Sequence, residues 1–154
     1  MIDDLPTIEK KIDRIKDMFF ERSREEKIEI LLNLGRSLQP FADEFKTSAY
    51  QITGCQSILY LSSNFDNGRV YFNAYADALI SSGLAALLIS VYSGETPETI
   101  LKKAPTFLID LELLSSLTPS RSNGLAHIHR QMRKDALKFL LSTAKSLDLN
   151  PAPL

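Results

Sequence analysis

The stretch "QITGCQS", Gln51–Ser57, carries the only cysteine of the chain, Cys55, directly after Gly54. A thiol reacts as its thiolate, so what Cys55 can do depends on access and on a basic or cationic neighbour. A lone cysteine is most often a small buried apolar side chain. Gly54 favours another reading, because glycine accepts positive φ and suits a tight loop tip where a thiol is reachable. No helix is expected to begin just after Cys55, so activation must come from a basic group elsewhere in the fold. A separate polar segment, "TPSRSNG", surrounds Arg121. A loop arginine is ordinarily a solvated charge or a cap partner, but its rigid fork of donors can also hold a carboxylate or an anionic sulfur species.

The two histidines, His127 and His129, stand two residues apart. On one helix they point in different directions and cannot hold a metal together. One cysteine and two histidines leave too few soft ligands for a zinc or cluster site made by this chain alone. Surface histidines of this kind are usually structural or simply solvated. Cys55 paired with His127 or His129 would make a cysteine-dependent hydrolase, yet no oxyanion-hole signature accompanies the pair. The six glycines are scattered, and no phosphate-binding loop pattern occurs.

The elements that must position these residues can be read from periodicity. The chain has 154 residues, 44% hydrophobic and 24% charged, which suits one domain over residues 1–154 with its own core. Its formal net charge is −1, and without a basic block nothing asks for nucleic acid. A single cysteine forms no internal disulfide, which predicts a reduced, cytoplasmic setting. The first residues lack the order of a signal peptide. The longest apolar stretch, "ALISSGLAALLISVY", is short for a membrane span and broken by serines, so it reads as a central buried helix over Ala78–Tyr92.

A first helix is predicted from about Pro6 to Phe20, with Ile8, Ile12, Ile15 and Phe19 on one face. "SREE" has the order of a capping box, Ser23 with Glu26, ahead of a stripe of Ile28, Leu31 and Leu32 that ends near Gly35. Residues Ser37–Ala49 read as a connecting loop. "SILYLSS" and "RVYFNAYA" flank "NFDNG", a hairpin signal, and "AYQIT" could add a third short strand. In the second strand Val70, Phe72 and Ala74 form the packing face. Thr96 with Pro97 opens another helix, and Phe107–Leu117 reads as a short helix. Leu117–Gly124 is predicted to be a polar loop, followed by a long amphipathic helix from about Asn123 to Ser146, with 147–154 and the first few residues frayed. The order gives an α+β fold: a small antiparallel sheet of about three strands packed against N- and C-terminal helices.

"GCQS" (Gly54–Ser57) opening a strand and "LTPSRSNGL" (Leu117–Leu125) opening the last helix together resemble the SufE family of cysteine desulfuration proteins. Between them, "YADALISSGLAALLISVYSGETPETI" (Tyr75–Ile100) resembles the family's Asp-x-x-x-x-x-Gly-Leu helix and the Thr-Pro helix start after it. The resemblance covers roughly residues 25–142 and implies an α+β fold similar to the cluster scaffold IscU. It implies a sulfur carrier. A SufS-like cysteine desulfurase, which owns the pyridoxal phosphate, forms a persulfide, and Cys55 accepts the sulfur and stimulates that enzyme. The sulfur then passes to a SufBCD-like iron–sulfur scaffold complex. The chain itself needs no cofactor and no metal, and it lacks the several cysteines of a scaffold. By the same resemblance Arg121 lies near Cys55 and steadies its thiolate or persulfide, while Gln56 and Ser57 set the loop. Asp77 ends the second strand near that loop, and equally reads as the N-cap of the Ala78–Tyr92 helix. A cycle with Cys55 sheltered at rest and extruded on docking follows from the instability of a free persulfide. Two positions depart from the family pattern: Ser82 stands where a lysine is usual and Tyr50 where an asparagine is usual. Whether the chain is a monomer or a homodimer is not fixed by the sequence. A regulator that works by binding alone is the competing reading.

Overall fold

The computed structural model describes residues 5–54 and 57–149, with side chains described as far as 144. Cys55, Gln56, the first four residues and the tail 150–154 lie outside the described residues. The chain opens with α1 (Ile8–Phe19), whose Ile8, Ile12, Ile15 and Phe19 are all buried, as the helical spacing requires. Thr7 caps it by accepting from the Lys10 amide. In α2 (Arg24–Arg36) the capping box forms in full: the Ser23 hydroxyl accepts from the Glu26 amide, and the Glu26 carboxylate accepts from the Ser23 amide. The hydrogen bonds from Ser23 and Arg22 hold the Glu26 carboxyl below its ordinary range.

Strands β1 (Leu59–Asp66) and β2 (Arg69–Ala76) pair antiparallel from Leu59 opposite Ala76 to Asp66 opposite Arg69. The turn is only Asn67 and Gly68, both at positive φ (49° and 79°), the two-residue turn whose twist matches that of the strands. Leu59, Leu61, Val70, Phe72 and Ala74 form the buried face. The expected third strand reduces to a single bridge between Gln51 and Tyr60, with the Ile52 amide donating to Leu59. Ser48–Tyr50 coils into a short 3₁₀ turn and Thr53–Gly54 turns again, leaving room for one pair only. The described sheet therefore has two strands.

The segment expected as a plain loop, Ser37–Ala49, covers the other face of the hairpin. Phe41 stands 6.3 Å from Tyr60 and 6.4 Å from Tyr75, ring to ring, and the Lys46 ammonium sits 4.1 Å above the Tyr75 ring. The sheet is thus packed on both faces.

Helix α3 (Leu79–Tyr92) runs through the middle of the molecule, with nine of its residues buried. It packs on α1, α2, β2 and α6. Its crossing with α2 is close because two glycines meet there: a Cβ on Gly83 would strike the Leu31 carbonyl, and one on Gly35 would lie 2.9 Å from the Gly83 amide nitrogen. Gly35 is therefore a contact residue inside the last turn of α2 and not its terminator. Thr96 and Pro97 open α4 (Pro97–Lys102) as expected. Phe107–Leu117 divides into α5 (Phe107–Asp110) and a 3₁₀ turn at Leu114–Ser116, broken where Glu112 takes φ 50°. The buried Lys27 of α2 donates its ammonium to the Glu112 carbonyl, which fixes that break against the core.

The largest departure from the sequence reading is α6. It runs from Pro119 to Leu149, so Leu117–Gly124 is mostly helix and not a loop. Thr118 precedes Pro119 as a cap: its backbone carbonyl accepts from the Arg121 and Ser122 amides, and its hydroxyl from the Arg121 amide. Leu125, Ile128, Met132 and Ala136 bury one stripe of α6 in the same core, and Phe139 stacks on Phe65 at 5.1 Å.

Candidate functional site

Three element starts converge: the entry to β1, the first turn of α3 and the first turn of α6. Because α6 starts at Pro119, Arg121 projects from its first turn and not from a loop. Its Nη1 donates to Ser81 Oγ at 2.5 Å and to Ser57 Oγ at 3.4 Å. The two hydroxyls are also hydrogen-bonded to each other at 2.6 Å. Ser81 is buried in the first turn of α3, and Arg121 and Ser57 are half-buried. A guanidinium held by two neutral acceptors keeps its full positive charge, and a cation poised so stabilises a nearby anion. Nη1 makes both bonds to described residues, and the guanidinium has further N–H donors.

Asp77 follows β2 directly. Its Oδ1 accepts from the Ile58 amide at 3.0 Å, and its own amide donates to the Ile58 carbonyl at 3.1 Å. The N-cap reading of Asp77 is thereby overturned. Ala78 occupies the N-cap position with no side-chain bond, and the Asp77 carboxylate is spent on closing the strand pair beside Ser57. Ile58 and Leu79 flank this corner as exposed apolar side chains.

Gly54 takes φ +84°, the left-handed conformation expected of it. The His127 imidazole lies across its Cα: a Cβ there would stand 2.6 Å from His127 Nε2. His127 is thus a half-buried packing partner of the turn before Cys55, not a solvated histidine. His129 points elsewhere, 5.1 Å from the Tyr92 ring, with its Nε2 buried and without a hydrogen-bond partner among the described residues. Burial, and next the Arg133 charge, push its pKa down. The Tyr92 hydroxyl, which donates to the Lys103 carbonyl at 2.8 Å, is pushed up by burial.

Of the residues singled out in the sequence, Ser57 and Arg121 are brought into direct contact, Asp77 bonds the Ile58 amide next to Ser57, and Gly54 packs against His127. Cys55 and Gln56, with the expectation that Cys55 rests sheltered, lie outside the described residues. Ser81 and the seat of His127 escaped the sequence reading. A polar residue in the first turn of an apolar helix was the available signal for Ser81. No group of metal ligands occurs among the described residues.

A two-stranded hairpin packed on a central apolar helix and closed by a long C-terminal helix defines the class of protein by fold. The solution structure of a hypothetical protein from Thermus thermophilus has the same fold, with a TM-score of 0.72 at 22% identity, over 85% of this chain and 96% of that one. By sequence, residues 13–136 match the SufE family model, described as an Fe-S metabolism associated domain. An uncharacterised SufE-like protein of Synechocystis is 36% identical over 88% of this chain and 84% of its own length. SufE-like protein 1 of Arabidopsis thaliana, chloroplastic/mitochondrial, is 39% identical over 72% of this chain, which spans only 30% of that protein. The chain belongs to the SufE family and to iron–sulfur metabolism. No described helix is long and apolar enough to cross a membrane.

Proposed function

We propose that the chain is a sulfur acceptor that activates a pyridoxal-phosphate-dependent cysteine desulfurase and relays the sulfur to an iron–sulfur assembly scaffold. The observation that supports this reading best is the Arg121–Ser81–Ser57 network two residues from Cys55. In the transfer, the Cys55 thiolate attacks the outer sulfur of the desulfurase persulfide. A new S–S bond forms at Cys55, and the old S–S bond breaks. The desulfurase cysteine leaves with the electron pair as a thiolate, so one sulfur moves with no net oxidation. Both the attacking thiolate and the product persulfide are anionic near neutral pH, and Arg121 supplies the positive charge that favours them. Ser81 and Ser57 aim that charge and carry none themselves. The positive φ of Gly54 gives the loop its turn, and the exposed Ile58 and Leu79 offer the desulfurase an apolar footing beside it. Of the two departures, Ser82 donates to the Ala76 carbonyl and Tyr50 packs edge-on against Phe45 at 5.0 Å, so neither bonds to Arg121. A reduced, cytoplasmic setting suits a carrier that depends on one free thiol.

The test is to incubate the protein with a cysteine desulfurase and cysteine, then take the intact mass without reductant. One added sulfur mapped to Cys55, absent in Cys55→Ser and much slower to appear in Arg121→Ala, is the expected result. Stimulation of the desulfurase by Cys55→Ser, with no sulfur gained by the native protein, would replace the carrier with a regulator that acts by binding alone.

A further inference from the structure

A second feature lies on the side of α6 that faces α4 and α5. A groove of about 560 Å³ runs there over a floor of Leu101, Leu108 and Leu125. None of Gly54, Ser57, Asp77, Ser81, Arg121 or His127 lines it. It continues along α6 into a shallower hollow of about 390 Å³ between Lys134, Leu137, Lys138 and Leu141. Large apolar side chains stand open along this track: Ile109 is 68% exposed, Leu137 45% and Leu141 59%. A string of exposed apolar side chains along one path is the usual mark of an interaction surface.

The charge along the track is of one sign. Arg130, Arg133, Lys134 and Lys138 border it, and no carboxylate lines either hollow. None of the four is in an ion pair among the described residues, although the chain as a whole carries a net charge of −1. His129 in the groove wall has its pKa pushed down, first by burial and then by the Arg133 charge, which favours its neutral form. The track extends from Ser122 to Leu141, which at ~1.5 Å of rise per residue is about 28 Å. That length is far beyond a small ligand and matches about five turns of helix.

We infer that this track is a docking site for an amphipathic helix of a partner protein, one that presents an apolar stripe flanked by glutamates or aspartates. Apolar anchors at helical spacing would fill the floor, and the acidic flanks would meet the arginine and lysine border. A second copy of this chain is disfavoured by charge, since two such tracks face to face would bring like charges together. None of the side chains in the Ser57–Arg121 network lines the track, which begins at Ser122 on the same helix.

The probe is a fluorescently labelled 18-residue peptide (about five turns) with leucine at i, i+3, i+4 and i+7 spacing and glutamate between, read by anisotropy. The same peptide with lysine in place of glutamate, and vesicles of anionic phosphatidylglycerol, serve as counter-probes. The glutamate peptide is expected to bind and the lysine peptide not. The double variant Arg130→Glu/Arg133→Glu is expected to weaken binding at least ~10-fold, as is Leu137→Asp, with circular dichroism showing both variants folded. Equal binding of the two peptides, indifference to charge reversal, absence of saturable binding, or binding to vesicles in preference to the peptide would each overturn the inference.

Discussion

Replacing Gly54 by alanine puts a methyl group where the His127 ring already stands. The new Cβ would lie 2.6 Å from Nε2, 3.0 Å from Cε1 and 3.1 Å from Cδ2. Ordinary contacts between such atoms begin near ~3.5 Å, so the imidazole must retreat by roughly 1 Å. Two costs follow. Alanine at the observed φ of +84° costs about 1–2 kcal/mol relative to glycine. Driving a half-buried ring off its rotamer costs about 1 kcal/mol more. The expected loss is therefore about 2–3 kcal/mol, read as a lower urea midpoint at unchanged slope. In a His127→Ala background the second cost vanishes, and Gly54→Ala should cost only about 1–2 kcal/mol there. The double-mutant cycle then gives a coupling of about 1 kcal/mol between two residues 73 positions apart. A Gly54→Ala variant within about 0.5 kcal/mol of the native protein, or one equally costly in both backgrounds, would refute the reasoning.

Two further expectations concern the scaffold beneath the site. Gly83→Ala places its methyl against the Leu31 carbonyl, which is backbone and cannot swing aside, so α2 and α3 must separate. About 3 kcal/mol should be lost, a fall in Tm of roughly 6–12 °C for a chain of this size, and an unchanged Tm would contradict the close crossing. His129 has its pKa pushed below 6.5 by burial, so the fold favours its neutral form. Its contribution is complete above the unfolded value and is lost as pH falls through about 6.5 towards the lower folded value. Relative to His129→Phe, the native protein should thus lose stability between about pH 7.5 and 5 in urea unfolding. A gap between the two proteins that stays constant over that range would count against the burial account.

Much of the scaffold was legible because its signals are local. The burial of Ile8, Ile12, Ile15 and Phe19 follows from 3.6-residue spacing. The capping box of Ser23 and Glu26 needs only residues three apart, and the hairpin needs only Asn67 and Gly68 between alternating strands. The misreading at Leu117–Gly124 is instructive, since Thr118–Pro119 opens α6 in the way that Thr96–Pro97 opens α4. The polar residues after it suggested a loop, but side chains on an exposed first turn are free to be polar. Likewise "AYQIT" had strand composition, yet the turns on either side of it leave one bridged pair.

By itself the sequence determined where helices and the hairpin begin, that one thiol is present, and, through the motifs around Cys55 and Arg121, the family to which the chain belongs. Those are properties of short windows, fixed by backbone geometry and by hydrogen bonds a few residues long. Only the tertiary structure decided that Ser81 would orient Arg121 across 40 residues, that His127 would roof Gly54, that Phe41 would cover the outer sheet face, and that four cations of α6 would border an open apolar track. Each of these depends on how two elements cross, and a crossing is set by the summed packing of the whole core, which no single stretch of sequence contains.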